Sequence, residues 1–254
     1  MAYVRSRDGT RIAFEATGAG PPVILVGGGL DDGSENAPLA PRLAGAFTVY
    51  NYARRGRARS GDTPPYALAR ELEDLAALIA EAGAPACLFG ASSGGALALE
   101  AAATGLPVAA VAVYEVPYLI APGDLTRWRT YVSDLAAALA SDQRAEALEL
   151  FMRVAGSTEA DIARARTVQA WPSLLALAPT LAYDAACLGA GHPPPRLAEV
   201  RCRTLVLTGD NPFFHPAAEA IADLIPTADR RTMPNQGHVA DPATLAPVLA
   251  MFFA

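Results

Sequence analysis

Residues 86–103 read ACLFGASSGGALALEAAA, and this stretch sets the architecture of the chain. The apolar run at 86–89 predicts a buried strand, and the alanine-rich run at 96–103 predicts a helix. Between them, residues 90–94 read GASSG, a G-x-S-x-G sequence. Small residues at such a junction permit a tight turn that leaves a serine hydroxyl exposed. We therefore predict a strand–turn–helix unit with Ser92 at the turn.

Strand-length apolar runs alternate with helix-period segments along much of the chain. This alternation is typical of a mostly parallel sheet covered by helices on both faces. It predicts an opening hairpin at 3–15, strands at 23–26, 47–52, 108–114, 204–208 and 230–233, and helices at 68–82, 217–224 and 245–253. The fold class is therefore α/β.

One segment, residues 117–195, departs from this alternation and has a mostly helical pattern. Ligands of open α/β sheets bind outside the carboxyl ends of the strands. A helical insertion after the sixth strand is therefore expected to form a lid over that edge. The remaining residues, 1–116 and 196–254, are expected to form the core.

Aromatic residues in the expected lid are candidates for substrate contacts. Trp128, Tyr131 and Trp171 could line a pocket, together with Leu30 of the core, and would then favour a largely apolar substrate. Packing between helices explains the aromatic residues equally well.

Composition narrows the class of protein. The chain has 254 residues, 52% of them hydrophobic and 18% charged, as expected for a soluble globular protein. The net charge of −6 argues against binding to nucleic acid. The sequence contains neither a membrane-length apolar run nor a signal-peptide pattern, so a cytoplasmic location is the default expectation. The three cysteines lack metal-site spacing, and we expect neither a metal nor a cofactor; the oligomeric state is not indicated.

Five short motifs, in chain order, make the sequence resemble the α/β-hydrolase superfamily. They are GGG at 27–29, RGRARS at 55–60, GASSG at 90–94, GDNP at 209–212 and QGH at 236–238. The resemblance covers essentially the whole chain, and its order of serine, acid and histidine is the order of that superfamily.

The resemblance implies a role for each motif. Ser92 would be the nucleophile and His238 its general base. The frame that would place Ser93 at the turn lacks the leading glycine. Backbone N–H groups of Ser93 and Gly29 would form the oxyanion hole, with Leu30 as a register alternative to Gly29.

Two carboxylates compete for the third position of the triad. Asp210 follows the strand at 204–208, but lies earlier than the acid usually does in such hydrolases. Glu115 follows the strand at 108–114, where relatives such as haloalkane dehalogenases place their acid. Neighbouring strands are about 4.8 Å apart, so either side chain could reach the histidine.

The implied activity is hydrolysis of a carboxylic ester, lactone or thioester of a small molecule through an acyl-enzyme. One alternative is a serine enzyme of secondary metabolism that cleaves C–C bonds or cyclises its substrate. Another is a catalytically silent relative that binds an apolar ligand. Arg54 and Arg55 could bind a substrate carboxylate, although a surface turn with salt links is the simpler interpretation.

Overall fold

The computed structural model describes residues 1–254 and contains one eight-stranded sheet. Its strands are β1 (Ala2–Arg5), β2 (Arg11–Thr17), β3 (Pro22–Val26), β4 (Thr48–Tyr52), β5 (Ala86–Ala91), β6 (Val108–Tyr114), β7 (Arg203–Thr208) and β8 (Ala228–Thr232). The spatial order is β1-β2-β4-β3-β5-β6-β7-β8. The first two strands form the expected hairpin and pair in antiparallel fashion, whereas β3 to β8 are parallel.

Ten α-helices connect and cover these strands. They are α1 (Ala40–Leu43), α2 (Leu68–Ala82), α3 (Ser93–Ala103), α4 (Pro122–Ala140), α5 (Arg144–Val154), α6 (Glu159–Ala165), α7 (Trp171–Leu177), α8 (Leu181–Leu188), α9 (His215–Leu224) and α10 (Pro242–Phe253). Helices α4 to α8 all lie between β6 and β7; we call residues 117–195 the helical insertion.

Both faces of the sheet are buried, as a parallel sheet requires. In β3, Ile24 and Val26 belong to the hydrophobic cluster that contains α2, α3 and α9. The alternate residues, Val23 and Leu25, belong to the second cluster, which contains α1 and α10. The sequence prediction of an α/β sheet flanked by helices is therefore confirmed.

Helix boundaries followed the sequence where capping chemistry is strong. Helix α2 has the predicted bounds and ends at Gly83, which adopts the left-handed conformation at φ 73°. Helix α3 begins at Ser93, three residues before the predicted start. Its first turn contains Gly94 and Gly95, which have low intrinsic helix propensity, so packing sets this boundary.

Gly94 is required by the close approach of α3 to β3. A methyl group at this position would overlap the carbonyl oxygens of Val26 and Gly27. We expect Gly94→Ala to lower the free energy of unfolding by about 1–3 kcal/mol, since backbone cannot yield as a side chain can.

The matched control is Gly123→Ala in α4, where nothing lies within 4 Å of the added methyl group. Alanine is the better helix former, so this variant should gain up to about 1 kcal/mol. Urea unfolding of both variants tests the pair. Equal changes in the free energy of unfolding for the two variants would show that the close contact between Gly94 and β3 does not require glycine.

None of the helices combines the length and apolar character needed to span a bilayer.

Candidate active site

Ser92 lies at the sharp turn between β5 and α3. Its backbone has φ 52° and ψ −128°, and its hydroxyl makes no capping bond to the helix. The Ser92 N–H donates to the carbonyl of Tyr114 at 2.9 Å, which ties the turn to the end of β6. The side chain is half-buried, so its hydroxyl sits on a rigid turn at the carboxyl edge of the sheet.

Three of the candidate residues have a strained backbone, as do Ala58, Asp142 and Asn235 elsewhere in the chain. Non-glycine residues with positive φ include Leu30 (59°), Ser92 (52°) and Glu115 (47°). Such conformations cost on the order of 1–3 kcal/mol each and tend to collect at functional sites. Ser92 and Glu115 directly follow β5 and β6, and Leu30 lies in the loop after β3, so all three are at the same edge of the sheet.

His238 bonds to Glu115. The His238 Nδ1 atom lies 2.7 Å from Glu115 Oε2. The imidazole also stacks on Phe214, with ring centroids 4.9 Å apart and planes inclined by 7°. The other ring nitrogen, Nε2, makes no hydrogen bond to Ser92 in this conformation. Two contacts thus fix the orientation of a half-exposed imidazole ring.

Glu115 is held rigidly for this contact. Its side chain is fully buried, and its Oε1 accepts the Gly209 N–H at 2.9 Å. Its own N–H donates to Leu207 in the neighbouring strand β7. The carboxylate therefore has one oxygen held by backbone and the other on His238.

Asp210, the rival acid, has a different role. Its carboxylate accepts the N–H of Asn235 at 2.8 Å, and its own N–H donates to the Gln236 carbonyl at 2.9 Å. In this structure Asp210 organises the loop before His238 and makes no hydrogen bond to its ring, whereas Glu115 is the carboxylate that bonds the imidazole. The short Gly209-Asp210 spacing places the carboxylate on that loop.

Side-chain hydrogen bonds to backbone carbonyls stabilise the loop that contains His238 and the neighbouring residues. Tyr114 Oη donates to the Gly237 carbonyl, directly beside His238. The His215 ring also bonds the carbonyl of Gly209, at 3.0 Å from Nε2. Sequence reasoning assigned no role to Tyr114, whose signal was only its position next to Glu115.

The glycine run after β3 approaches the serine closely. A methyl group on Gly28 would lie 3.1 Å from Ser92 Cβ, so this backbone runs alongside the serine. Arg57 Nη1 donates to the Gly28 carbonyl at 2.5 Å and to the Asp31 carbonyl at 3.1 Å. Gly29 and Leu30 follow, both half-buried.

Comparison with known proteins identifies the family of this chain. The model of the alpha/beta hydrolase family matches residues 23–248. The chain belongs to this family. An alpha/beta hydrolase from Sphaerobacter thermophilus has a solved structure that is 44% identical, with a TM-score of 0.89 over 100% of both chains.

Curated relatives match over a shorter stretch. An uncharacterised hydrolase of Bacillus subtilis, YraK, is 34% identical over 36% of this chain and 35% of its own length. A pimeloyl-[acyl-carrier protein] methyl ester esterase of Stenotrophomonas maltophilia is 40% identical over 36% of this chain and 34% of its own. The matched stretch therefore spans about a third of each of these relatives.

Three arginines of this α/β hydrolase are buried beside the glycine run, although Arg54 and Arg55 were expected on a surface turn. Arg54 pairs with Glu71 at 2.6 Å, and Arg55 pairs with Asp74 at 2.7 Å. Arg57 is fully buried as well. The two acids lie three residues apart on the apolar face of α2, and that pattern could have predicted buried partners.

A third acid of this cluster comes from the helical insertion. Asp184 in α8 accepts Arg54 Nη1 at 2.6 Å and Arg57 Nη2 at 2.7 Å. It also accepts the Ser93 hydroxyl at 2.8 Å. Burial alone would raise the pKa of Asp184, but Arg57 and Arg54 hold it below its usual range. Asp184 is therefore a buried carboxylate ion.

The aromatic residues of the insertion are placed unequally. Trp128 is buried, donates from Nε1 to the Gly189 carbonyl at 3.0 Å, and packs on Tyr131 at 5.3 Å between centroids. These contacts favour helix packing over substrate contact for both residues. Trp171 is half-buried at the start of α7, where it remains a candidate for substrate binding.

Two cavities differ in their relation to the candidate site. A cavity of about 30 Å³ is lined by His238, Tyr114 and Glu35, beside the histidine loop. A larger one, of about 670 Å³, lies in the insertion among Arg144, Glu149 and other mostly polar residues. The larger cavity contains none of the candidate catalytic residues.

Proposed function

We propose that this α/β hydrolase cleaves carboxylic esters, lactones or thioesters of small, largely apolar molecules through an acyl-enzyme. The observation that carries the proposal is the bond between His238 and Glu115 at the sheet edge where Ser92 lies on its strained turn. The methyl ester esterase among the relatives supports an ester as substrate.

The first half of the reaction forms the acyl-enzyme. Ser92 Oγ attacks the carbonyl carbon as its proton passes to His238 Nε2. Glu115 keeps the proton of the neutral imidazole on Nδ1, so that Nε2 is free to act as base. The C–O or C–S bond then breaks, and His238 returns the proton to the leaving group.

Charge on the carbonyl oxygen develops during this attack. The N–H groups of Gly29 and Ser93 are the proposed donors to that oxygen. A donor of this type stabilises the transition state by about 3–4 kcal/mol, because it acts where charge appears.

The second half of the reaction hydrolyses the acyl-enzyme. Water attacks the acyl carbon with His238 as base, and the carboxylic acid is released.

An apolar substrate is supported by the surroundings of the base. Phe213 is 47% exposed and Val239 is 65% exposed, and they neighbour Phe214 and His238 respectively. The helical insertion is proposed to act as the lid over this edge, since its Asp184 contacts Ser93.

Partitioning with hydroxylamine tests the acyl-enzyme. Butyrate esters with different leaving groups should give one constant ratio of hydroxamate to acid, because all pass through the same butyryl-Ser92 intermediate. A burst of nitrophenol equal to the enzyme concentration should accompany any slow deacylation. A ratio that changes with the leaving group would mean direct attack by water and would overturn the proposed mechanism.

A further inference from the structure

The buried carboxylate of Asp184 is linked to both halves of the proposed oxyanion hole, to Ser93 by a direct hydrogen bond and to the glycine run through two arginines. Its two guanidinium partners, Arg54 and Arg57, each also donate to a carbonyl of the glycine run. Arg54 Nη1 bonds Gly27 at 3.3 Å, and Arg57 Nη1 bonds Gly28 at 2.5 Å. A single carboxylate of the helical insertion therefore orients two arginines that donate hydrogen bonds to consecutive backbone carbonyls.

The Gly28 carbonyl and the Gly29 N–H belong to one peptide unit. That unit is planar and trans, so its C=O and N–H groups point in opposite directions. By holding the carbonyl, Arg57 fixes the direction of the Gly29 N–H. The guanidinium charge also polarises the amide and strengthens its N–H as a donor.

Ser93 supplies the second half. Its N–H is the other proposed donor, and its buried hydroxyl donates to Asp184 Oδ1 at 2.8 Å. The first residue of α3 is thereby fixed by the same carboxylate that orients Arg57. Removing Asp184 would release both donors together.

We propose that Asp184 is a positioning residue of the oxyanion hole, which couples the helical insertion to catalysis; this inference rests on the proposed function. Asp184 does not touch the reacting atoms. It acts through Arg57 and Ser93, so the hole is complete only while α8 is docked on the core.

The test compares Asp184→Asn with the wild type on p-nitrophenyl butyrate. We expect kcat to fall about 10²-fold, the cost of losing an oxyanion donor, while KM changes less than about threefold. Affinity for an alkyl trifluoromethyl ketone, which forms a tetrahedral adduct, should fall by the same factor as kcat/KM. The pH midpoint of kcat/KM should not move, because the His238–Glu115 pair is untouched.

A second variant covers the risk that Asp184→Asn does not fold, since it leaves buried arginines undercompensated. Ser93→Ala keeps every charge and its backbone N–H, and removes only the bond to Asp184. It should lower kcat and trifluoromethyl ketone affinity about tenfold without lowering Tm by more than a few degrees.

The matched control is Tyr66→Phe, which removes bonds to Glu71 and to the Tyr183 carbonyl in the same interface. It touches neither the glycine run nor Ser93, so its kcat should stay within about twofold of wild type. Unchanged kcat and ketone affinity in Ser93→Ala, or a loss confined to KM, would overturn the inference. A wild type with no esterase activity would instead overturn the proposed function.

Discussion

Replacing Ser92 with alanine is expected to lower kcat/KM for p-nitrophenyl esters by at least about 10⁴-fold, because it removes the nucleophile. Alanine differs from serine only by the hydroxyl, so the positive φ at this turn imposes a similar strain on both residues. The fold should therefore survive, with Tm within a few degrees of wild type.

The neighbouring serine provides the control for this substitution. Ser93→Ala, with its proposed loss of about tenfold, should remain at least about 10³-fold more active than Ser92→Ala. The reverse order of activities would assign the nucleophile to Ser93, the frame that the leading glycine disfavours. Steady-state kinetics on purified variants, with Tm recorded for each, separates the two outcomes.

Replacing Glu115 with glutamine should lower kcat by roughly 10³–10⁴-fold, the scale seen when a triad acid becomes an amide. The amide oxygen can keep the Gly209 N–H, which leaves the amide NH₂ group facing His238 Nδ1. Nδ1 must then accept, so the ring proton moves to Nε2 and the base is lost. The near-identical shape of glutamine should preserve the fold.

Asp210→Asn is the matched control. Its carboxylate accepts a backbone N–H from Asn235, which an asparagine oxygen can accept equally well. We expect kcat within about threefold of wild type, the range typical of substitutions outside a buried network. If Asp210→Asn were inactive and Glu115→Gln active, the assignment of the acid to Glu115 would be wrong.

The sequence predicted the framework of the molecule through local signals. Helix α2 was predicted with its bounds because its apolar period is regular and Gly83 ends it. Residues 90–94 identified the turn and the position of its serine, because the strand, the turn and the helix are contiguous in the sequence. Short-range patterns thus predict elements well.

Contacts between residues that are far apart in the sequence were not predictable in this way. Glu115 and Asp210 follow adjacent strands, so both start within one strand spacing of the same edge. The outcome depends on the left-handed backbone at Glu115 and on the Gly209 N–H that meets its carboxylate. Neither feature is written in the local pattern.

The buried arginines illustrate the same limit more strongly. Arg54, expected with Arg55 on a charged surface turn, is buried because Asp184, about 130 residues later in the chain, folds back onto it and onto Arg57. Glu71 and Asp74 are the partners with a local signal, because both interrupt the apolar face of α2.

Covalent labelling with an alkyl fluorophosphonate, read by mass spectrometry, asks whether Ser92 is an activated nucleophile. We predict one phosphonyl group per chain, on the peptide that contains Ser92, and none in Ser92→Ala. The rate of labelling should fall at least about 100-fold in His238→Ala, because the general base is lost. The absence of an adduct, or an adduct formed at an unchanged rate in His238→Ala, would contradict the serine-hydrolase mechanism.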